Sequence, residues 1–300
     1  MDSSAAAATA EEGGGLPFAD VRGKVAVLTL GTEEYGGISL AVEFVKRGCR
    51  VVLVGCPLAR VEQACTQVRK IAADAEPAVP GKGIHGAEIA KAVELDATRG
   101  EQAVDEAVEE AWSVFGGIDI LLSCTSDLGT MKPVEETTES DFDKIMGANV
   151  KEIWLVSKSV ARKMQQGGRG GSLVFVTSIS GTERGLYPGV SIYGTSTAAI
   201  NHLTKVMAME LGKYGIRVNA IACGLAENNT GLKSLDEKAL QVLAKRVVPL
   251  QRWLQLPNDI TGVVLWLASD SSTFVTGSIT IVDGGLSIRR PRMGEYRSRL

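Results

Sequence analysis

From Lys24 onward, short apolar runs rich in β-branched residues alternate with longer stretches in which apolar positions recur every three or four residues. Seven runs read as strands: VAVLTL at 25–30, RVVLVG at 50–55, KAVELD at 91–96, IDILLS at 118–123, SLVFVT at 172–177, IRVNAI at 216–221 and ITIVDG at 279–284. Near-continuous apolar runs belong to strands covered on both faces. The stretches between them carry the helical period, as in VEQACTQVRKIA at 61–72 and QAVDEAVEEAWSVF at 102–115. This alternation predicts a parallel sheet with helices on both faces, a doubly wound α/β fold. The connection at 74–88 is long and rich in Pro and Gly, and reads as a surface loop.

With 300 residues, 45% hydrophobic and 22% charged, the chain suffices for one large core, so a single domain is expected over 16–288. Residues 1–15, MDSSAAAATAEEGGG, read as a disordered tail without the basic head and apolar run of a secretory signal. The net charge of -3 supplies no global reason to bind nucleic acid or an anionic membrane, and no apolar run is long enough to span one. Cys49, Cys56, Cys65, Cys124 and Cys223 form no CxxC pair, and an odd number cannot all be paired within the chain, which fits a reducing compartment. His85 and His202 stand far apart without thiolates beside them, so no metal site is expected.

After the first strand comes LGTEEYGGISLA, a Gly-rich turn of the kind that lets backbone N–H groups and a helix N-terminus approach a pyrophosphate. Alone it reads equally as a tight turn. Further strings follow in order: Asp96 in LDAT, Asn149 in ANV, the run from Ser178 to Tyr193, GIRVNAIACG at 215–224 and LASDSSTFVTGSITIVDGG at 267–285. Over residues 22–288 the chain resembles the short-chain dehydrogenase/reductase family. The resemblance implies one Rossmann-type domain with a seven-stranded parallel sheet, NAD or NADP as cofactor, a carbonyl or alcohol substrate, and a homodimer or homotetramer. It puts the proton-transferring tyrosine at Tyr193, the serine that orients the substrate oxygen at Ser178, with Ser180 as fallback, and the asparagine of a water relay at Asn149. Cofactor contacts fall on Gly31, Gly37 and Asp96.

Departures from the family pattern qualify that picture. The family places a lysine four residues after the tyrosine, where this chain has Thr197. A tyrosine's ordinary pKa is about 10, so without a cation roughly one molecule in a thousand is phenolate at pH 7, which hampers oxidation more than reduction. Tyr35 takes the place of the middle glycine of the turn, beside Glu33 and Glu34, and SCTS at 123–126 replaces an Asn-Asn-Ala-Gly segment. At the end of the second strand stand Gly55 and Cys56, with Arg60 beyond, leaving the choice of cofactor open. Cys124 and Cys223 read as buried packing residues.

The basic tail at 289–300 ends in Ser298, Arg299 and Leu300, which resembles the Ser-Lys-Leu peroxisomal address and implies an import receptor as partner. The expected location is the peroxisome, otherwise the cytoplasm. The expected function is an NAD(P)(H)-dependent oxidoreductase working in the reductase direction. Its alternative is a catalytically impaired relative that binds a ligand or an oligomer partner. Nothing in the segment 225–243 identifies a substrate.

Overall fold

A computed structural model of the chain describes residues 21–31, 36–74, 89–182, 188–226 and 236–288. Glu33, Glu34, Tyr35, His85, nearly all of the loop at 74–88, the tail at 1–15 and Ser298, Arg299 and Leu300 lie outside the described residues.

All seven predicted strands form: β1 (Val25–Thr29), β2 (Arg50–Gly55), β3 (Ala90–Glu94), β4 (Ile120–Ser123), β5 (Gly171–Ser178), β6 (Ile216–Cys223) and β7 (Ile279–Val282). They pair in parallel in the order β3-β2-β1-β4-β5-β6-β7. The order reverses between β1 and β4, and such a switch point opens a crevice at the carboxyl ends of the strands.

Two apolar layers cover the sheet because successive side chains along a strand point to opposite faces. In one layer Ala26, Leu28, Leu53, Ile120 and Val174 meet Leu40 and Phe44 of α1 (Gly37–Lys46), Val61 of α2 (Leu58–Asp74) and Ile260 and Val264 of α8 (Asn258–Ala268). In the other, Val27, Val52, Leu121 and Phe175 meet Val104 of α3 (Glu101–Phe115), Val160 of α5 (Ile153–Gly167) and Ile200 of α6 (Ser191–Leu211). The remaining α-helices among the described residues are α4 (Glu139–Met146), opened by a Thr138–Asp141 capping box, and α7 (Glu237–Val247).

Along α3 and α5, Lys158 pairs with Glu101 at 2.5 Å, Arg162 with Asp105 at 2.6 Å, and Lys163 with Glu109. These pairs reach solvent, so the apolar seam beneath them holds the helices. Arg162→Ala is therefore expected to cost less than about 1 kcal/mol, read as a small shift of the urea midpoint.

Among the described residues no helix is long and apolar enough to cross a membrane, and no His, Cys, Asp and Glu cluster could hold a metal. Cys49, Cys65, Cys124 and Cys223 are buried free thiols, and burial pushes Cys124 and Cys223 up to about 12. Cys124 and Cys223 are buried, as expected of packing residues, while Cys56 is exposed.

Candidate active site

At the switch point lies a cleft of about 830 Å³, within the size range of small-molecule sites. Leu30 and Gly31 from the end of β1 and Gly55 and Cys56 from the end of β2 line it, with Leu95, Ala97 and Thr98 beyond β3 on one side and Gly147, Ala148, Val150, Lys151 and Glu152 on the other. Gly31 has to be glycine for a packing reason: a Cβ there would stand 2.9 Å from Thr125 Cα and 3.0 Å from the Ser126 nitrogen. Bare backbone thus brings the ends of β1 and β4 together at the rim. Arg60 reaches in from α2 and donates through Nη2 to the Gly31 carbonyl.

Gly37 starts α1 against the end of β1, where a Cβ would come 2.9 Å from Leu30 Cδ2. Among the described residues no side chain caps this helix N-terminus. Asp96 is occupied locally: its Oδ1 accepts from Thr98 N at 3.0 Å and Thr98 Oγ1 at 2.6 Å, capping the short turn Ala97–Arg99. Its neighbours, not its carboxylate, line the cleft.

The segment after β4 forms the wall shared by this cleft and the predicted catalytic group. Ser126 Oγ lies 3.5 Å from the Tyr193 hydroxyl, a weak contact, and both side chains are buried. The Tyr193 ring packs with Leu128 and Val190 at the start of α6. Asn149 grips the next residue from both sides: its Oδ1 accepts from Asp127 N at 2.6 Å and its Nδ2 donates to Asp127 O at 2.9 Å. The same Nδ2 donates to Ser196 Oγ at 2.9 Å, and Ser196 donates to the Tyr193 carbonyl at 2.8 Å. Asn149 therefore ties the β4 segment to the helix that carries Tyr193.

Asn149 sits within a π-helical turn, Gly147–Glu152, that joins α4 to α5, rather than on an ordinary helical stretch. The wider turn rotates the residues after α4 relative to a straight helix and aims Asn149 inward; such turns recur at functional sites.

Ser178 ends β5, and its hydroxyl accepts from Ser180 N at 3.1 Å and bonds Ser180 Oγ at 3.1 Å. This turn packs tightly on α6, since a Cβ on Gly181 would fall 2.3 Å from Ala198 N and 2.4 Å from Thr197 C. Both serines thus stand beside the first turns of the Tyr193 helix. The Thr197 hydroxyl points away from chemistry, donating to the carbonyls of Tyr193 at 3.1 Å and Gly194 at 3.0 Å.

Sequence reading missed one charged group here. Glu152 is half-buried in the cleft wall, and its Oε1 accepts from Thr125 Oγ1 at 2.9 Å. Thr125 Oγ1 lies 2.9 Å from Thr29 Oγ1, which also accepts from Cys124 N at 3.1 Å. Burial, and secondarily the Asp96 carboxylate, push Glu152 up to about 7 against the lowering effect of Thr125. The available signal was an acid three residues after Asn149 beside an apolar helix face, but the π-turn hides which face it joins.

A family model described as enoyl-(acyl carrier protein) reductase matches residues 37–287. The 2-dehydro-3-deoxy-D-gluconate 5-dehydrogenase of Escherichia coli is 31% identical over 269 residues, covering 88% of this chain and 96% of that protein. Dehydrogenase/reductase SDR family member 4 of Homo sapiens is 31% identical over 266 residues, 89% and 88% of the two chains. Among solved structures, a short-chain type dehydrogenase/reductase from Mycobacterium marinum superposes with a TM-score of 0.75 at 26% identity, covering 91% and 98% of the chains. An NAD+-bound xylitol dehydrogenase does so with a TM-score of 0.75 at 28% identity, covering 88% and 99%.

Proposed function

The chain belongs to the short-chain dehydrogenase/reductase family, and on that premise we propose that it is a nicotinamide-dependent oxidoreductase acting on a carbonyl or alcohol, with reduction as the favoured direction. The observation that carries the proposal is the tie from Asn149 through Asp127 and Ser196 to the Tyr193 helix, at the edge of a cleft of about 830 Å³.

The residues present suit an NAD or NADP cofactor. Gly31 and Gly55 leave the cleft floor without side chains, and the start of α1 at Gly37 brings a helix N-terminus whose backbone N–H groups suit a pyrophosphate. A bound nicotinamide would supply or take up the hydride. The chain's own part is proton transfer and orientation. Tyr193 donates its phenolic proton to the substrate oxygen, Ser178 and Ser180 supply hydroxyls that orient that oxygen, and Asn149 holds the wall against which Tyr193 rests. Thr197 brings no charge to the helix turn after Tyr193, which suits a neutral phenol donating a proton better than a phenolate accepting one. The name of the Escherichia coli relative supports including keto sugar acids among trial substrates. The reading includes a homodimer or homotetramer, for which exposed Trp154 on α5 and Met209 on α6 supply apolar surface.

NADH or NADPH is expected to bind at micromolar concentration in a fluorescence titration, and failure of both to bind at millimolar concentration would overturn the proposal. A second reading, a relative that binds a ligand or partner without turnover, draws on Thr197. Thr197→Lys separates the two. An ammonium one turn beyond Tyr193 favours the phenolate, so alcohol oxidation should rise about tenfold; an enzyme that binds cofactor yet gains nothing favours the second reading.

A further inference from the structure

Glu152 has no part in the proton transfer described above, yet it is a half-buried carboxyl in the wall of the switch-point cleft. Its surroundings are directional. The Cys124 N–H points at Thr29 Oγ1, the Thr29 and Thr125 hydroxyls are 2.9 Å apart, and Thr125 bonds Glu152 Oε1 at 2.9 Å. A hydroxyl has one proton, and an ionised carboxylate can only accept. With Glu152 ionised, the single Thr125 proton goes to the carboxylate. Among the described residues Thr125 is the donor that meets this carboxyl, and Glu152 itself lines the cleft.

The charges around it set what the cleft end can hold. Asp96 from beyond β3 is near enough to raise Glu152. At Cys56, on the end of β2, burial first and then the carboxylates of Asp96, Glu152 and Glu94 raise the thiol, against a smaller opposing effect of Arg60. Arg60 already donates to the Gly31 carbonyl. Lys144 pairs with Asp127 at 3.4 Å, and Asp143, Lys144 and Lys151 also line the cleft. The end of β2 is thus a negatively biased corner, with the Glu152 carboxyl beside it.

We propose that Glu152 selects the cofactor: its carboxylate accepts hydrogen bonds from the vicinal hydroxyls of an adenosine ribose and repels a 2′-phosphate, so the cleft takes NAD(H) in preference to NADP(H). The inference rests on the oxidoreductase reading. A diol supplies donors that the carboxylate lacks, whereas a phosphate adds a second anion with no donor. Selection therefore comes from the segment after β4 and the π-turn, in place of an acid on β2.

The test is equilibrium binding of NADH and of NADPH to the full-length protein and to Glu152→Gln, followed by tryptophan fluorescence, to which Trp154 in the cleft wall contributes. Gln keeps the volume and an oxygen for Thr125 while removing the charge. The wild type is expected to bind NADH about tenfold more tightly than NADPH, and the variant to lose most of that difference. NADH affinity in the wild type should also rise as the pH increases through about 7, where Glu152 ionises, and stay flat in the variant over the same window. Glu152→Ala, checked by its thermal midpoint, serves as a second uncharged variant and should lose the preference likewise. Equal or tighter binding of NADPH by the wild type overturns the proposal, as does a preference for NADH that survives in both variants. If neither dinucleotide binds the wild type, the oxidoreductase reading itself falls, and the selectivity with it.

Discussion

Tyr193→Phe is expected to reduce turnover by about 10²–10⁴-fold, the usual range for losing a positioned general acid, while leaving dinucleotide affinity within about twofold of wild type. The substitution removes one hydroxyl. The ring's packing with Leu128 and Val190 is retained, and Tyr193 does not line the cleft of about 830 Å³, so neither the fold nor the adenosine end of the site should suffer. Rates are read from the absorbance of the reduced cofactor with small aldehydes, ketones and keto sugar acids as trial substrates, and affinity from fluorescence. A variant that keeps more than about a tenth of the wild-type rate would remove Tyr193 from the proton-transfer role. Loss of binding together with rate would instead give the side chain a structural role. Ser126→Gly is the companion measurement: its hydroxyl is 3.5 Å from the phenol, so its effect should be smaller than that of Tyr193→Phe.

Asn149→Ala carries the second large effect, and its cause is different. The side chain is buried and makes three bonds, accepting from Asp127 N and donating to Asp127 O and Ser196 Oγ. Truncation strands those groups away from solvent, and each such loss costs about 1–3 kcal/mol. Water can enter the space and recover part of this, so the expected total is about 3 kcal/mol, measured as a fall in the urea midpoint. Turnover should fall as well, because the segment carrying Ser126 is no longer held against Tyr193. Ser196→Ala removes one of the three bonds and is expected to cost about 1 kcal/mol. If Asn149→Ala lost less than about 1 kcal/mol and kept its rate, the clamp would have no energetic content.

Expected and observed structure agree where the signal is local. The run RVVLVG at 50–55 matches β2 residue for residue, and the helical period at 102–115 reproduces α3 within one residue. Burial on both faces follows from the same residues, since Val51 and Leu53 join one layer and Val52 and Val54 the other. The residues proposed for catalysis were marked by resemblance, because Asn149, Ser178 and Tyr193 lie in strings with family-like neighbours. The actual work of Asn149 was not. Nothing in ANV says that its amide grips Asp127, and the π-turn that aims it inward has no mark in the pattern of apolar residues. Asp96 shows the converse: the string pointed to the cleft, while the carboxylate itself is held by Thr98.

By itself, the sequence determined the strands, the helices between them, the two buried faces and the position of a tyrosine at the head of a long helix. These follow from periods of two and about 3.6 residues, properties that neighbouring side chains express without distant partners. Only the tertiary structure decided the strand order and the identity of the cleft wall. Glu152 becomes informative because a parallel sheet places Thr29 and Thr125, which are 96 residues apart in the chain, with their hydroxyls 2.9 Å from one another. Glu152 then closes on Thr125 through a π-turn. Long-range pairing of strand ends and a one-residue change of helical register are both invisible to a local pattern. They make an acid that the local pattern does not single out a half-buried carboxyl in the cleft wall.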